Sequence, residues 1–567
     1  MYIVVILYYI MKNEIGGTEM GKLRSLMKIG PYLKKNKLLL MFVIIGVIAS
    51  TFVNLPIPYM TGKVVDEILI KNKSVEYLLI AGIIMLILYG VKYLVIILSS
   101  YLSTLLNTKI SNGLKVDLIC KIINLPMDYL GNVEKGYLQG RIAESNSISA
   151  SLSTSIIGGL VNILDIIFAI TAMFVINVKL AFMVLLILPV FFLVVKISNE
   201  GFTKVTTMSL EANAKVNAGC FEIINGIEEI KVLDGKQSSI NKFKHTVQEL
   251  IDVTLKQKRK MLFLSQNISG INDLGTLLIL LISGIFIIKG NFTVGLYTTF
   301  VLYSTRIFNA TQFLANIGPS LKQTCLSLER IYEFLDMDDE SGSGSKEVVE
   351  NIENIKFENV TFKYKRNSME TLKNFNLEIV TGDKVLIRGQ NGSGKTTLIK
   401  LLERLYEPQS GRILINGKEM KKLNIDEFRK HIGIVSQNIF LFSGSVLDNI
   451  LYGQEDGKRE EVENLIKKLN LKTYIDKLPK GLDTEIIENN NGISGGQKQV
   501  IAFIRAVLSK KDVIILDEPI ANIDIETRKI ILEILKERFE HNILIIVSHF
   551  SEGLDFVNKI VEIKEND

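Results

Sequence analysis

The chain has 567 residues, room for about two to four domains at roughly 150 residues each. Lys and Arg number 66 against 60 Asp and Glu, and the resulting charge of +6 is too mild at this length to indicate a nucleic-acid binder. Hydrophobic residues at 48% and charged residues at 22% exclude disorder, and three scattered cysteines (Cys120, Cys220, Cys325) form neither a disulfide framework nor a zinc pattern. The mean hydropathy is nevertheless +0.28, so some part of the chain is far more apolar than the average.

Residues 1–10 are apolar but too short to span a bilayer, and they lack the charged start of a signal peptide. An interfacial anchor is one reading. The preferred one rests on Ile15 to Met20, which ATA-GGA-GGT-ACA-GAA-ATG can encode. That string holds a bacterial ribosome-binding sequence before an ATG. Met20 is then the native start, and residues 1–19 are an extension not translated natively.

Residues 20–335 carry the apolar excess. Runs lie at Leu38–Met60, broken late by Pro56 and Pro58, and at Tyr77–Leu102 with Lys92 inside. Others lie near 153–176, 180–195, 271–288 and 296–317. A spanning helix needs about 20 apolar residues, so these runs predict six spans. An even count puts both ends of this half on one side. Lys22, Arg24, Lys28, Lys34, Lys35 and Lys37 flank the first span and make that side cytoplasmic. The connections near 103–152 and 198–268 are long, polar and helical in pattern, which extends the spanning helices beyond the bilayer.

Residues 336–350 read as a flexible linker, acidic and then Gly/Ser-rich. From 351 to 567 short apolar runs alternate with helical patterns. Ile355–Val360 alternates like a strand, Lys384–Ile387 is a short apolar strand, and Thr396–Tyr406 has helical spacing. Val513–Leu516 and Ile543–Val547 suit strands buried on both faces of a parallel sheet. The fold class is therefore a polytopic all-α membrane domain followed by an α/β domain.

Gly389, Gln390, Asn391, Gly392, Ser393, Gly394, Lys395 and Thr396 fit the G-x-x-x-x-G-K-[ST] phosphate loop, with Thr397 beside them. The glycines let backbone N–H groups face phosphates. Lys395 reaches the β- and γ-phosphates, and the Thr396 hydroxyl suits Mg²⁺. The motif follows a predicted strand and opens a predicted helix, whose N-terminus adds partial positive charge. Asp517 and Glu518 end the strand Val513–Leu516. Asp517 is placed to hold Mg²⁺, and Glu518 to polarise the attacking water.

Ile493, Ser494, Gly495, Gly496 and Gln497 complete a pattern that resembles the ATP-binding-cassette family, whose signature is Leu-Ser-Gly-Gly-Gln. The resemblance covers the chain from about residue 25 to its end and implies an exporter half-transporter: six spans fused to one P-loop NTPase domain of the cassette class. It implies ATP and Mg²⁺ as cofactors. It implies that Gln437 senses Mg²⁺ and the membrane domain, that Asp524 is the loop aspartate, that His549 contacts the γ-phosphate, and that Tyr364 stacks on adenine. Leu125–Leu130 and Gly226–Ile230 resemble the coupling helices. Two departures stand out. Ile487 and Asn490 replace usual glycines around Glu488 in the loop before the signature, and Ile493 replaces leucine. His245, His431 and His541 match no motif and read as surface or packing residues.

In the family, Ser494 and Gly496 touch the γ-phosphate held by a partner's Lys395. One phosphate loop, one signature and six spans thus imply a homodimer or heterodimer in the bacterial cytoplasmic membrane, with the nucleotide domain cytoplasmic. ATP hydrolysis, with Glu518 as base, then drives export of a drug, lipid or peptide by alternating access. A regulator or sensor, or an importer on the same fold, stays open as the alternative. Asp165 and Asn162 lie on one face of the third predicted span; Thr305, Asn309, Gln312 and Asn316 share a face of the sixth, beside Arg306. These polar residues line the substrate path or bond helix to helix.

Overall fold

A computed structural model describes residues 27–69, 75–133, 135–152, 157–199, 202–340, 347–365, 369–390, 392–454, 457–487, 493–520, 523–548 and 553–563. The expected start at Met20 and most of the Gly/Ser segment of the linker lie outside them. The chain divides into two compact units. One comprises residues up to Ile123 together with Val133–Met337; the other comprises Asn124–Asn132 and Asp338 onward.

The first unit is helical because no backbone N–H or C=O can go unpaired in hydrocarbon. Its helices are α1 (Gly30–Lys35), α2 (Lys37–Asn54), α3 (Pro56–Leu69) and α4 (Val75–Asn124). The short α5 (Met127–Leu130) belongs to the second unit. Then come α6 (Lys135–Leu152), α7 (Gly158–Ile176), α8 (Val178–Asn199), α9 (Phe202–Asn225), α10 (Ile227–Val232), α11 (Lys236–Ile288) and α12 (Val294–Leu335). The described parts of all six predicted runs fall in helices. Lys37–Glu67, α4, α7 and α11 are long and apolar enough to cross a membrane by length and composition. At 1.5 Å per residue α4 and α11 reach about 75–80 Å, far beyond a bilayer core of about 30 Å. The expected extensions are therefore present.

The first span breaks between α2 and α3, where Pro58 removes the N–H that the Asn54 carbonyl needs. Arg306 of α12 supplies the missing donor, its Nη2 lying 2.6 Å from the Asn54 oxygen, and the Tyr303 hydroxyl donates to the Leu55 oxygen at 2.7 Å. Arg306, read from the sequence as a neighbour of the polar stripe, thus closes a proline break in another helix. Lower on the same helix pair, Asp66 accepts from the Thr293 hydroxyl and the Gly295 N–H, both at 2.6 Å, and so caps the start of α12.

The described residues of the second unit form three sheets, the smallest pairing β7 (Gly444–Ser445) with β8 (Glu485–Ile486). An antiparallel sheet runs in the order β2 (Leu372–Val380), β1 (Asn354–Phe362), β4 (Ser410–Ile415), β5 (Lys418–Glu419). A parallel sheet runs β11 (Lys559–Glu562), β3 (Lys384–Arg388), β10 (Ile543–Val547), β9 (Val513–Asp517), β6 (Ile432–Val435). Every residue of β9 and β10 is buried, as continuous apolar runs require. The strands are in register, Val547 opposite both Ile387 and Asp517, so their C-terminal ends share one edge. Helix α13 (Lys395–Leu402) follows β3, and α14 (Ile425–Arg429) precedes β6. After α15 (Val446–Ile450), α16 (Arg459–Lys468) and α17 (Lys472–Ile475), helix α18 (Gly495–Leu508) precedes β9, and α19 (Ile525–Arg538) follows it. The predicted helix to Tyr406 stops earlier, at Leu402. Arg404 turns left-handed (φ 53°) while its buried guanidinium donates to the Leu423 and Lys421 oxygens, a tertiary demand that overrides helical spacing.

Helices α3 and α12 meet backbone to backbone. A Cβ on Gly62 would lie 2.2 Å from the Gly295 oxygen, and one on Gly295 2.1 Å from the Gly62 oxygen. Gly62→Ala therefore forces the helices apart, at an expected cost of about 1–3 kcal/mol. The check is the thermal midpoint of the detergent-solubilised chain; an unchanged midpoint refutes the close approach.

Candidate functional site

The turn between β3 and α13 is closed by glycines that no larger residue can replace. A Cβ on Gly389 would sit 2.4 Å from the Ser393 Oγ and 2.5 Å from the Ile563 oxygen. Gly394 adopts φ 103°, with the Thr371 oxygen 2.9 Å from its Cβ position. Inside the loop the Lys395 ammonium donates to the Gly389 and Gln390 oxygens at 2.7 and 2.8 Å. Among the described residues the buried Ser393 hydroxyl has no hydrogen-bond partner. An orphaned donor, an ammonium held only by loop carbonyls and an exposed Thr396 fit a phosphate group. Gly392 takes φ 89° at the rim, and Thr397 is buried on α13. Asn391 lies outside the described residues.

Asp517 closes β9 at 8% exposure. Glu518 follows it at φ 52°, a left-handed conformation that costs a non-glycine residue energy. Two contacts hold it there. The Glu518 N–H donates to the Val547 oxygen at 2.9 Å, and Gln499 donates to the Glu518 carbonyl at 2.8 Å. The side chain is aimed as well, since Gln437 Nε2 donates to Glu518 Oε2 at 3.1 Å. Gln437 lies just past β6, so three strand ends bring phosphate loop, carboxylates and glutamine to one edge. Thr396, Asp517 and Gln437 offer hydroxyl, carboxylate and amide oxygens, the donor set that a hard cation such as Mg²⁺ takes beside phosphate oxygens.

Ser494 caps α18 in a reciprocal box: its hydroxyl accepts from the Gln497 N–H at 3.3 Å, and Gln497 Oε1 accepts from the Ser494 N–H at 2.8 Å. Ser494 and Gly495 are exposed, while Gly496 is buried. Asp524 caps α19, and the Thr527 N–H bonded to its carboxylate holds that group below the usual carboxylate range. Tyr364 sits edge-on to Phe362 and Tyr406, with ring centroids 5.0 and 5.3 Å away, and its hydroxyl lies 3.2 Å from Thr397 Oγ1. His549, Glu488 and Asn490 lie outside the described residues. His431 is a packing residue as expected, bridging Asp512 and the Val349 oxygen; His245 and His541 are exposed.

Sequence reasoning missed Gln499, Phe440 and Phe442, and Glu403. Gln499 lies on the apolar face of α18, and that misplaced polarity was its one signal. Phe440, Phe442 and Tyr452 form an exposed aromatic patch after Gln437, with Phe442 stacked on Tyr452 at 4.0 Å. Burial pushes the Glu403 carboxyl up to about 7, against the pull of Arg429 and Lys400.

In the membrane unit Thr305 and Asn309 are exposed on α12 and Gln312 is half-buried; the Asn316 side chain lies outside the described part. Asn162 donates to Gly158 of its own helix. Asp165 lines a separate cavity of about 280 Å³ with Ser50, Thr51, Asn54, Ser99 and Ser103. Both segments compared with coupling helices are short helices, α5 and α10. Ile227, Val232 and Leu233 are exposed at the tip of the latter.

Two family models match this chain. Residues 40–311 match the ABC transporter transmembrane region, and residues 372–521 match the ABC transporter model. Among similar proteins is the uncharacterized ABC transporter ATP-binding protein YfiC of Bacillus subtilis (strain 168), 29% identical over 96% of this chain and 90% of its own. The putative multidrug export ATP-binding/permease protein YgaD of the same organism is 27% identical over 96% and 94%. The mesentericin-Y105 transport/processing protein MesD of Leuconostoc mesenteroides is 28% identical over 93% and 73%. A solved bacterial Atm1-family ABC exporter with ATP bound shares the fold, with a TM-score of 0.82, 21% identity, and 94% and 95% of the two chains covered.

Glu403 makes stability depend on pH. Its folded value is raised above the ordinary 4.5, so the native state binds more protons than the unfolded state between about pH 4.5 and about pH 7. The nucleotide-binding unit should lose stability as pH rises through that window. Glu403→Gln should flatten the decline, measured as the denaturation midpoint against pH. A decline of wild-type slope in the variant refutes the assignment.

Proposed function

The chain belongs to the ABC transporter family, and from that premise we propose that it couples ATP hydrolysis to export of a substrate across the bacterial cytoplasmic membrane, working as a dimer. The observation that carries the hydrolytic part is Glu518. Its backbone is held in a strained turn by Gln499 and Val547, and its carboxylate is aimed by Gln437. A carboxylate fixed beside a phosphate loop is placed to accept the proton of an attacking water.

On this reading Lys395 leaves its loop carbonyls for the β- and γ-phosphates, and the Ser393 hydroxyl gains its acceptor. Tyr364 stacks on the adenine, and His549 contacts the γ-phosphate. Thr396, Asp517 and Gln437 hold Mg²⁺, which supplies charge neutralisation on the phosphates. Ser494 and Gly496 touch the ATP held by a second half-transporter, identical or not. Asp524 fixes the start of α19 beside that interface. Hydrolysis removes the charge pairing and lets the faces part. Thr305, Asn309 and Gln312 line the path, whose cargo is a drug, a lipid or a peptide. The domain limits of 20–335 and 351–567 and a cytoplasmic nucleotide domain belong to the same proposal.

The decisive measurement is Mg-ATPase activity of the chain in lipid nanodiscs. Glu518→Gln should lower the turnover by at least about 100-fold. Activity retained in that variant sinks Glu518 as the base. A second measurement addresses the path. Asn309→Leu with Gln312→Leu should reduce ATP-dependent dye uptake into inside-out vesicles, whereas wild-type uptake leaves the stripe a packing role. Hydrolysis without flux in the intact chain favours a regulator.

A further inference from the structure

The turn that carries α5 packs as part of the nucleotide-binding unit, and it is held at both ends by residues grouped around the C-terminal end of the phosphate-loop helix. At its start, the Glu340 N–H donates to the Asn124 oxygen at 2.8 Å. The Glu340 carboxylate takes Arg429 in bidentate fashion, Nη1–Oε2 at 2.9 Å and Nη2–Oε1 at 2.6 Å. The remaining edge of the same guanidinium donates to the Glu403 oxygen at 3.2 Å and the Arg404 oxygen at 3.0 Å. Those carbonyls lie just past α13, where a helix leaves acceptors unpaired. At the far end of the turn, Lys365 pairs with Asp128 at 2.5 Å, and the Tyr406 hydroxyl would lie 2.8 Å from a Cβ on Gly131.

We propose that Arg429 and Glu340 are positioning residues that carry nucleotide occupancy from α13 to Asn124, the last residue of the long helix α4. The proposal rests on the ATP-dependent reading above and adds a route that this reading does not contain. Its physical basis is the guanidinium's planar fork, which binds four acceptors in one rigid geometry. The pair is also largely shielded, with side-chain exposures of 32% and 17%, so water does not screen it as it does a surface pair. Helix α13 is about 12 Å long and begins at Lys395. When Lys395 leaves the Gly389 and Gln390 carbonyls for a phosphate, the loop rearranges at one end of this short rod. Arg429 is attached at the other end. Glu340, held by its carboxylate, passes the displacement through its N–H to the Asn124 oxygen, from which α4 continues covalently.

Amide hydrogen exchange of residues 124–132 tests this in the full chain in nanodiscs, with ATP as the probe and Glu518→Gln in every sample to prevent turnover. ATP should slow exchange of that segment by at least about five-fold, the lower end of ordinary coupling energies. Arg429→Lys keeps the charge and loses the fork. It should abolish the ATP-dependent slowing while leaving ATP-free exchange and ATP affinity near those of the parent. Glu340→Gln keeps the shape and the backbone bond, and should do the same if Arg429→Lys fails to fold. Three results overturn the proposal: no slowing in the parent, slowing of parental size in both variants, or equal loosening with and without ATP, which marks simple glue. Exchange requires only ATP binding. Failure of export or hydrolysis therefore reads separately from failure of this link.

Discussion

Five strands pair in parallel, with β9 and β10 buried throughout, so their carboxyl ends meet at one edge of the sheet. The nucleotide site depends on this single constraint. The phosphate loop leaves β3, Asp517 and Glu518 leave β9, and Gln437 leaves β6. None of these segments adjoins another in sequence, yet Gln437 and Glu518 are within hydrogen-bond distance. The strain at Glu518 is sustained because β10 on one side and Gln499 on the other hold its backbone. A loop alone would relax.

The membrane half answers a different constraint. With no water to solvate a broken backbone, every interruption of a helix needs a donor from elsewhere. Pro58 creates one such need, and Arg306 meets it from α12. At the start of α12 the need is for an acceptor, and the Asp66 carboxylate meets it by accepting from the Gly295 N–H. Polar residues in apolar helices therefore divide into two kinds. Arg306, Tyr303 and Asp66 are committed to the backbone of a neighbouring helix. Thr305 and Asn309 are turned outward from the unit and remain exposed. Spacing alone cannot separate the two kinds, since Thr305 and Arg306 are adjacent.

Much of the site was legible because its chemistry demands particular residue types at fixed local spacing. A phosphate loop needs glycines at Gly389 and Gly394, a lysine at once after the last glycine, and a helix behind it. An apolar strand ending in Asp517 and Glu518 is equally local. Gln499 and Arg429 were illegible for the opposite reason. Gln499 shows only as a polar residue on an apolar helix face and Arg429 reads as a solvated one, and only the partner across the fold gives either a task. The premature end of α13 was hidden likewise, because Arg404 is drawn out of the helix by carbonyls of residues 421 and 423.

The sequence by itself determined the two-part organisation, the six apolar runs, the phosphate loop and the signature. Each is written in composition or in short-range periodicity, where side-chain size and polarity act on neighbours along the chain. Only the tertiary structure decided which polar side chains serve a broken helix, where Glu518 points, and that the turn after α4 packs with the nucleotide-binding unit. Those outcomes rest on hydrogen bonds between groups from about 80 to 250 residues apart, and no local pattern encodes the partner of such a bond.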